Sequence, residues 1–540
     1  MALATAMTVK RIAFSVGVPA GLLITLTVCK DILDTQPLGS LTDQTFYQTE
    51  KDFDAATLAP YSTMLNLTYD QNGSGWWNGF LKPSDDVQFR DPNDANDVFN
   101  WLPTNNDFAW VWAQAYKGIM RANIVLDALP KASGFADATK KPRYEAEAKF
   151  MRAWWYFLLA RNWGNVPILT SVPSSVGATM VGNSNPGEVW DLMESDLTFA
   201  TQNLPANYGS EKGRATKYTA FALLGKVQLY RAQWFSQQAK YQDAIKNLSA
   251  VVSSGVFSLM PNYADNFRES AENNAESLFE EQDTEGDNIN AWGTTDTGGR
   301  AGHAWNIFVS PSCYYGAGGE CAPKAWGEGY GQVDITASLA AEFEPNDPRS
   351  YWTMYSAGED YGGTLYKATW SRTGHTPAKY NRPWDPNRFP NNWSGDNLRL
   401  IRYADVLLLL AEAKLLGNND IPGAAALVNQ IRARARTTYQ ILTGNAPPVT
   451  LLPDVPTTGT TQSWFRTYLM HERRVELALE DSYRYDDLVR WHRAGLINIK
   501  TDVQFGFPES NTNWKDTYLL KPIPQRELDL NSKLTQNPGY

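Results

Sequence analysis

The sequence predicts a mainly α-helical protein, a scaffold of stacked helical hairpins with a loop-rich insertion holding a few short strands. Three observations carry this reading. Long segments repeat apolar residues at helical spacing. Those segments come as adjacent pairs joined by short turns. Two irregular regions, about 69–106 and 261–397, gather Asp, Asn, Gly, Pro and aromatic residues.

Each element has its own signal. Lys141 to Trp163 carries Ala148, Met151, Trp155, Leu158 and Leu159 on one face. Pro142 suits the first turn and Gly164 the stop. Pro186 to Asn203 places Val189, Leu192, Met193, Leu197 and Ala200 together. Thr216 is an N-cap candidate for a helix running to about Trp234. Tyr241 to Val252 follows and stops at Gly255. Its Ala244 and Leu248 are expected to pack against Leu224 and Val227. Leu398 to Leu416 is apolar almost all round and reads as one deeply buried helix. Asp420 and Pro422 start the next, to about Thr437. A last long helix is expected from Trp464 to Arg493. A hairpin cannot bury both faces alone, so hairpins stack, here in a tetratricopeptide-like way without a strict 34-residue period. Ser277 to Gln282 (SLFEEQ) reads as a strand.

The amino end sets the address. Lys10 and Arg11 precede the mostly apolar run Ile12 to Val28, broken by Pro19 and Gly21. This is a secretory signal rather than a spanning helix. It ends in Leu26-Thr27-Val28-Cys29, which resembles a bacterial lipobox with an over-large Val28. Cys29 is then the acylated first residue of the mature protein, and more than one acyl chain makes a stable anchor. The division is signal peptide 1–28 and one mature domain 29–540. The helical scaffold covers about 40–68, 107–260 and 398–495.

Composition bounds the rest. The 540 residues carry a net charge of −10, which argues against a nucleic-acid partner. There are 20 Trp, 26 Tyr and 22 Phe, an aromatic-rich balance. Cys313 and Cys321 are the remaining cysteines, an even pair suited to a loop-closing disulfide in an exported protein. Catalytic signatures are missing. His471-Glu472-Arg473-Arg474-Val475 opens like a zinc-protease motif but puts Val475 where the second histidine belongs. Glu472, Arg473, Arg474 and Glu476, with Asp486 and Asp487, read instead as a partly buried ion-pair network. Glu280-Glu281 lie next to each other on a strand, where neighbours face opposite ways and cannot flank one bond. The Asp91–Asp97 run offers hard oxygens for a structural calcium, but the same residues build Asx turns. No metal or other cofactor is expected beyond that.

Three passages form one ordered pattern. Cys29 is followed by Leu33-Asp34-Thr35-Gln36-Pro37. Glu147 to Leu169 ends in a Gly-x-Val-Pro-Ile turn. Arg402 to Glu412 (RYADVLLLLAE), Glu472 to Leu477 (ERRVEL) and the tail Gln536-Asn537-Pro538-Gly539-Tyr540 complete it. Together, in this order, they resemble the SusD/RagB family of outer-membrane nutrient-binding lipoproteins. The resemblance implies a non-catalytic protein of the outer surface. It would bind nutrient glycans and deliver them to a SusC-like TonB-dependent transporter. The matching motifs are scaffold and name no ligand contact.

Candidate contacts therefore come from the loops. Flat rings cover the C–H face of a sugar, while Asp, Asn and Arg bind its hydroxyls. The first irregular region supplies Trp76, Trp77, Asp85, Asp86, Arg90 and Trp101. The second supplies Trp292, Trp305, Tyr314 and Tyr315. The competing classes are a solute-binding lipoprotein of an ABC importer, which would have α/β lobes, and a secreted glycoside hydrolase.

Overall fold

The computed structural model describes residues 46–67, 79, 81–283, 308–311, 331–361, 363–379, 395–480 and 483–540. Tyr47–Tyr540 form one compact unit, which holds the scaffold. Its helices are α1 (Glu50–Ala56), α2 (Ala59–Ser62), α3 (Asn106–Ala128), α4 (Lys141–Trp163), α5 (Glu188–Asn203), α6 (Lys217–Trp234), α7 (Ala239–Val252), α8 (Tyr403–Asn418), α9 (Ile421–Thr443), α10 (Gln462–Leu477) and α11 (Tyr483–Arg493). Consecutive helices from α3 to α7 pack side by side, α7 packs on α8, and α8 packs on both α9 and α10. The mainly helical hairpin fold is thus as the periodicity implies.

Local chemistry fixes the ends. Thr216 caps α6 in a reciprocal pair with Thr219. Pro142 sits in the first turn of α4, and Gly164 ends it at φ +74°. Gly118 allows α3 and α4 to touch: a Cβ there would lie 2.2 Å from Nε1 of Trp155. Gly225 does the same for α6 and α7 against Leu248, so the expected face-to-face packing of that hairpin is present.

Two expectations need correction. Leu398 to Leu416 is not one helix. Leu398–Arg402 is a strand, antiparallel to Ser277–Glu281, and α8 begins only at Tyr403. The segment L-R-L-I-R alternates, and the Tyr403 N–H bonds the Glu276 carbonyl, so pairing with a strand outcompetes one more helical turn. Trp464 to Arg493 is also interrupted, between Leu477 and Tyr483, with Leu479 at φ +65°. Glu480 is drawn into a buried pairing with Arg402 and Lys379, which redirects the chain without any Pro or Gly.

The strands are short. Val87–Phe89 pairs with Val333–Ile335, Met354–Ser356 with His375–Pro377, and Ser277–Glu281 with Leu398–Arg402, all antiparallel. Each brings distant chain segments together. A small second core of Tyr355, Tyr361, Tyr366 and Trp370 seals the middle pair. Among the described residues no helix is long and apolar enough to cross a membrane.

The expected ion-pair network is real and more buried than a surface pattern. Glu476 receives Arg349, Arg402 and Arg434. Glu472 receives Arg349 and Arg432. Arg473 bridges Asp405 and Asp487, and Asp486 binds Arg161. These charges staple α8, α9 and α10 to the strand Leu398–Arg402. Burial alone would drive the Glu476 carboxyl upward, but Arg434, Arg402 and Arg349 hold it well below the usual range.

Candidate functional site

The turn after α2 and the end of the strand Ser277–Glu281 enclose a cavity of about 500 Å³, completed by the Glu211–Arg214 loop. That volume lies in the usual range for small-ligand pockets, roughly 300–1,000 Å³. Its floor is apolar at Tyr61, Met64 and Leu65, beside the exposed Leu58, and the buried Arg214, Glu280 and Glu281 also line it. Its rim is polar: Ser62, Glu211, Lys212 and Gln282. Floor and rim together match a molecule with an apolar face and a hydrophilic edge.

The walls are held from behind. The Arg214 guanidinium bonds the Glu147 carboxylate at 2.9 and 3.1 Å, Thr57 Oγ1 at 3.1 Å and the Asp54 carbonyl at 3.1 Å. Ala215 N–H donates to the Tyr61 hydroxyl oxygen at 3.1 Å, and the Tyr61 ring meets Phe279 edge-on. Burial pushes the Tyr61 hydroxyl well above its ordinary pKa, so this group stays neutral. Gly213 adopts φ +93°, and a Cβ there would stand 2.5 Å from Cγ of Gln282. Only glycine allows loop and strand end to meet so closely.

The cavity sits where two expected aromatic segments begin. The residues just before 68–78, which carry Trp76 and Trp77, include its floor residues Met64 and Leu65. The residues just before 284–307, which carry Trp292 and Trp305, include its rim residue Gln282. Trp76, Trp77, Trp292, Trp305, Tyr314 and Tyr315 themselves lie outside the described residues. So do Cys29 and the Cys313–Cys321 pair.

The described candidates separate into two groups. Arg90 is half-exposed at the foot of the segment that carries Tyr314 and Tyr315. It donates to the Gly331 carbonyl at 3.2 Å, and Gly331 N–H in turn bonds Ser310. Asp334 is buried nearby and accepts the Arg372 N–H at 3.2 Å. Burial pushes its carboxyl up to about 6, against the pull of that N–H and of Arg90 and Arg372. Asp86 and Trp101, by contrast, are interior and are corrected as surface contacts. Asp86 is 1% exposed and binds Arg474 at 2.8 Å, beside Asp85 on Arg474 and Arg484. Trp101 is 3% exposed, edge-on to Phe108, Tyr485 and Tyr518, with its Nε1–H on the Asn96 carbonyl. Composition cannot separate such a core ring from a displayed one. Tyr61, Lys212 and Gln282 carry no motif either; only the strand reading of SLFEEQ pointed near them.

The hard oxygens at 91–97 turn to the chain itself. Asp91 accepts Asn93 N–H, and Asp94 accepts Asn96 and Asp97 N–H while binding Lys82 at 3.0 Å. Asp97 accepts Phe89 N–H. Glu280 is likewise spent, on Arg399 at 3.3 Å, Asn273 N–H and Asn397 Nδ2. Its neighbour Glu281 is buried too.

Comparison with known proteins agrees with this architecture. The profile described as "SusD family" matches residues 233–540, and one described as "Starch-binding associating with outer membrane" matches 84–229. The chain is 26% identical to SusD-like protein P25 of Formosa agariphila, over 95% of this chain and 96% of that one. It is 28% identical to a SusD-like protein of Bacteroides ovatus, over 86% and 80%. A solved structure titled "Laminarin binding SusD-like protein" superposes with TM-score 0.71 at 27% identity, covering 92% of this chain and all of that one. A SusD homologue from Bacteroides thetaiotaomicron superposes with TM-score 0.73 at 24% identity, over 92% and 98%. With its hairpin array, its short strands and a family match across more than half its length, the chain belongs to the SusD family.

Proposed function

We propose that this protein is a lipid-anchored surface protein that binds nutrient glycans or oligosaccharides without cleaving them. It then passes them to a SusC-like TonB-dependent transporter of the outer membrane. The observation that carries the binding reading is the cavity with an apolar floor at Tyr61 and Met64 and a polar rim at Lys212 and Gln282. A pyranose ring has the same two-sided character, and aromatic or aliphatic surface covers its C–H face. The likeness to a laminarin-binding relative supports the same class of ligand. Three carboxylates line the cavity: Glu280 is held by Arg399 and two amides, Glu211 by Arg214 at 2.7 Å, and Glu281 is buried, which supports a binding rather than a catalytic role. Cys29 supplies the tether, and tethering beside a transporter raises effective concentration, so modest affinity suffices.

The test uses the mature chain without its acyl group in native gels containing laminarin, starch, xylan or mannan, with a reducing-end assay on the same mixtures. Retardation by at least one polysaccharide with no new reducing ends is expected. Hydrolysis, or free migration in every gel, contradicts the reading. Membrane fractionation of wild type against Cys29→Ala tests the anchor: the variant should leave the membrane.

A further inference from the structure

A second cavity, of about 480 Å³, lies between the loop after Arg90 and the carboxy-terminal segment, and it shares no residue with the first. Two hydrogen bonds clamp its walls. Asn513 Nδ2 donates to the Val98 carbonyl at 2.8 Å, and Ser510 Oγ to the Asp97 carbonyl at 2.8 Å. Between these anchors and Trp101 the chain takes a costly conformation: Phe99 sits at φ +52°, which bulky residues rarely adopt. That twist sends the Phe99 ring inward, 4.8 Å from Phe505 and 5.5 Å from Tyr518. Asn100 follows, exposed at the cavity edge, with its N–H held by the Ala95 carbonyl. Backbone strain of this kind is retained where surrounding contacts impose it and often marks a binding surface.

The chemistry around the opening is uncommitted. Asn100, Glu509 and Lys515 are exposed, and their side chains make no hydrogen bond or ion pair among the described residues. The half-buried Tyr518 ring forms part of the lining. An amide both donates and accepts, a carboxylate accepts and an ammonium donates. One negative and one positive group at the same rim favour a ligand without net charge. A charged ligand would meet one of them unfavourably.

We propose that this cavity is a second binding subsite, for a neutral polyhydroxylated ring such as one sugar unit of an oligosaccharide. Tyr518 covers the ring, Asn100 and Glu509 bind hydroxyls, and Lys515 donates to a further hydroxyl. The inference rests on the glycan reading above. Two subsites on one chain let a long polysaccharide be held at two points, which raises avidity without any gain at either.

The test compares the mature chain with its Asn100→Ala/Glu509→Ala variant. Both positions are exposed, so an unchanged melting temperature should certify the fold. Each protein is run in gels containing laminarin, starch, xylan or mannan. It is then titrated calorimetrically with the trisaccharide of the retarding polysaccharide. The expected result is a weakening of polysaccharide retention by about tenfold and a fall in trisaccharide stoichiometry from two to one. Equal retention and equal stoichiometry in both proteins overturn the second subsite and leave the first standing. If no polysaccharide retards wild type, the glycan reading fails, and this subsite with it.

Discussion

Arg402 Nη1 and Glu476 Oε1 lie 2.7 Å apart, and both side chains are buried. They join the strand that precedes α8 to the body of α10. The same carboxylate takes Arg349 and Arg434, so three guanidiniums converge on it. Truncating one partner of a buried pair leaves the other charge stranded, at about 3–5 kcal/mol. Glu476→Ala is therefore expected to cost about that much in urea unfolding, and Glu476→Gln less. Because the folded-state carboxyl is depressed, its contribution is present above its ordinary value near 4.5 and fades as pH falls below it. Acid unfolding of wild type should steepen below pH 4.5 relative to Glu476→Gln.

His471 behaves in the opposite sense. Burial opposes its charge, but hydrogen bonds to Glu342 at 2.6 Å and to Glu344 raise it to about 9. A raised histidine stabilises fully below 6.5, and that stabilisation is lost as pH climbs towards 9. Unfolding free energies measured from pH 6 to 10 should decline by on the order of 3 kcal/mol, a decline that His471→Gln abolishes. A flat wild-type profile would contradict the pairing.

Close helix packing gives a third expectation. Gly118→Ala forces a methyl into Trp155 and should destabilise by about 1–3 kcal/mol. Equilibrium unfolding of that variant measures it. Ala in place of the exposed, positive-φ Gly444 meets no neighbouring atom and should cost less.

Most of the scaffold was legible in the sequence because helical periodicity and caps are local signals. Thr216, Pro142 and Gly164 act within one turn of themselves: α4 starts and stops, and α6 starts, where those residues say. The two errors share a cause. At Leu398–Arg402 and at Leu479, buried pairings with residues distant in the chain override the local pattern. Arg402 answers to Glu276 and Glu476, which no window around it reveals. The binding surface was less legible. Composition singled out Asp86 and Trp101 as readily as Arg90, because burial is a property of the fold. Tyr61, Lys212 and Gln282 meet only when the α2 turn, the Glu211–Arg214 loop and the strand end converge.

The rim of the first cavity can be changed without touching the core. Lys212 and Gln282 are exposed, so Lys212→Ala/Gln282→Ala should leave the unfolding free energy within about 1 kcal/mol of wild type. Losing two hydrogen-bonding groups at about 0.5–1.5 kcal/mol each should weaken oligosaccharide binding by roughly tenfold. Titration calorimetry checks it.

The most direct measurement is the migration of wild type and of Lys212→Ala/Gln282→Ala through the same polysaccharide gels, with reducing ends counted afterwards. The account predicts retardation of wild type, weaker retardation of the variant and a constant count of reducing ends. Free passage of wild type through every gel, equal retardation of both proteins or a rising count would contradict it.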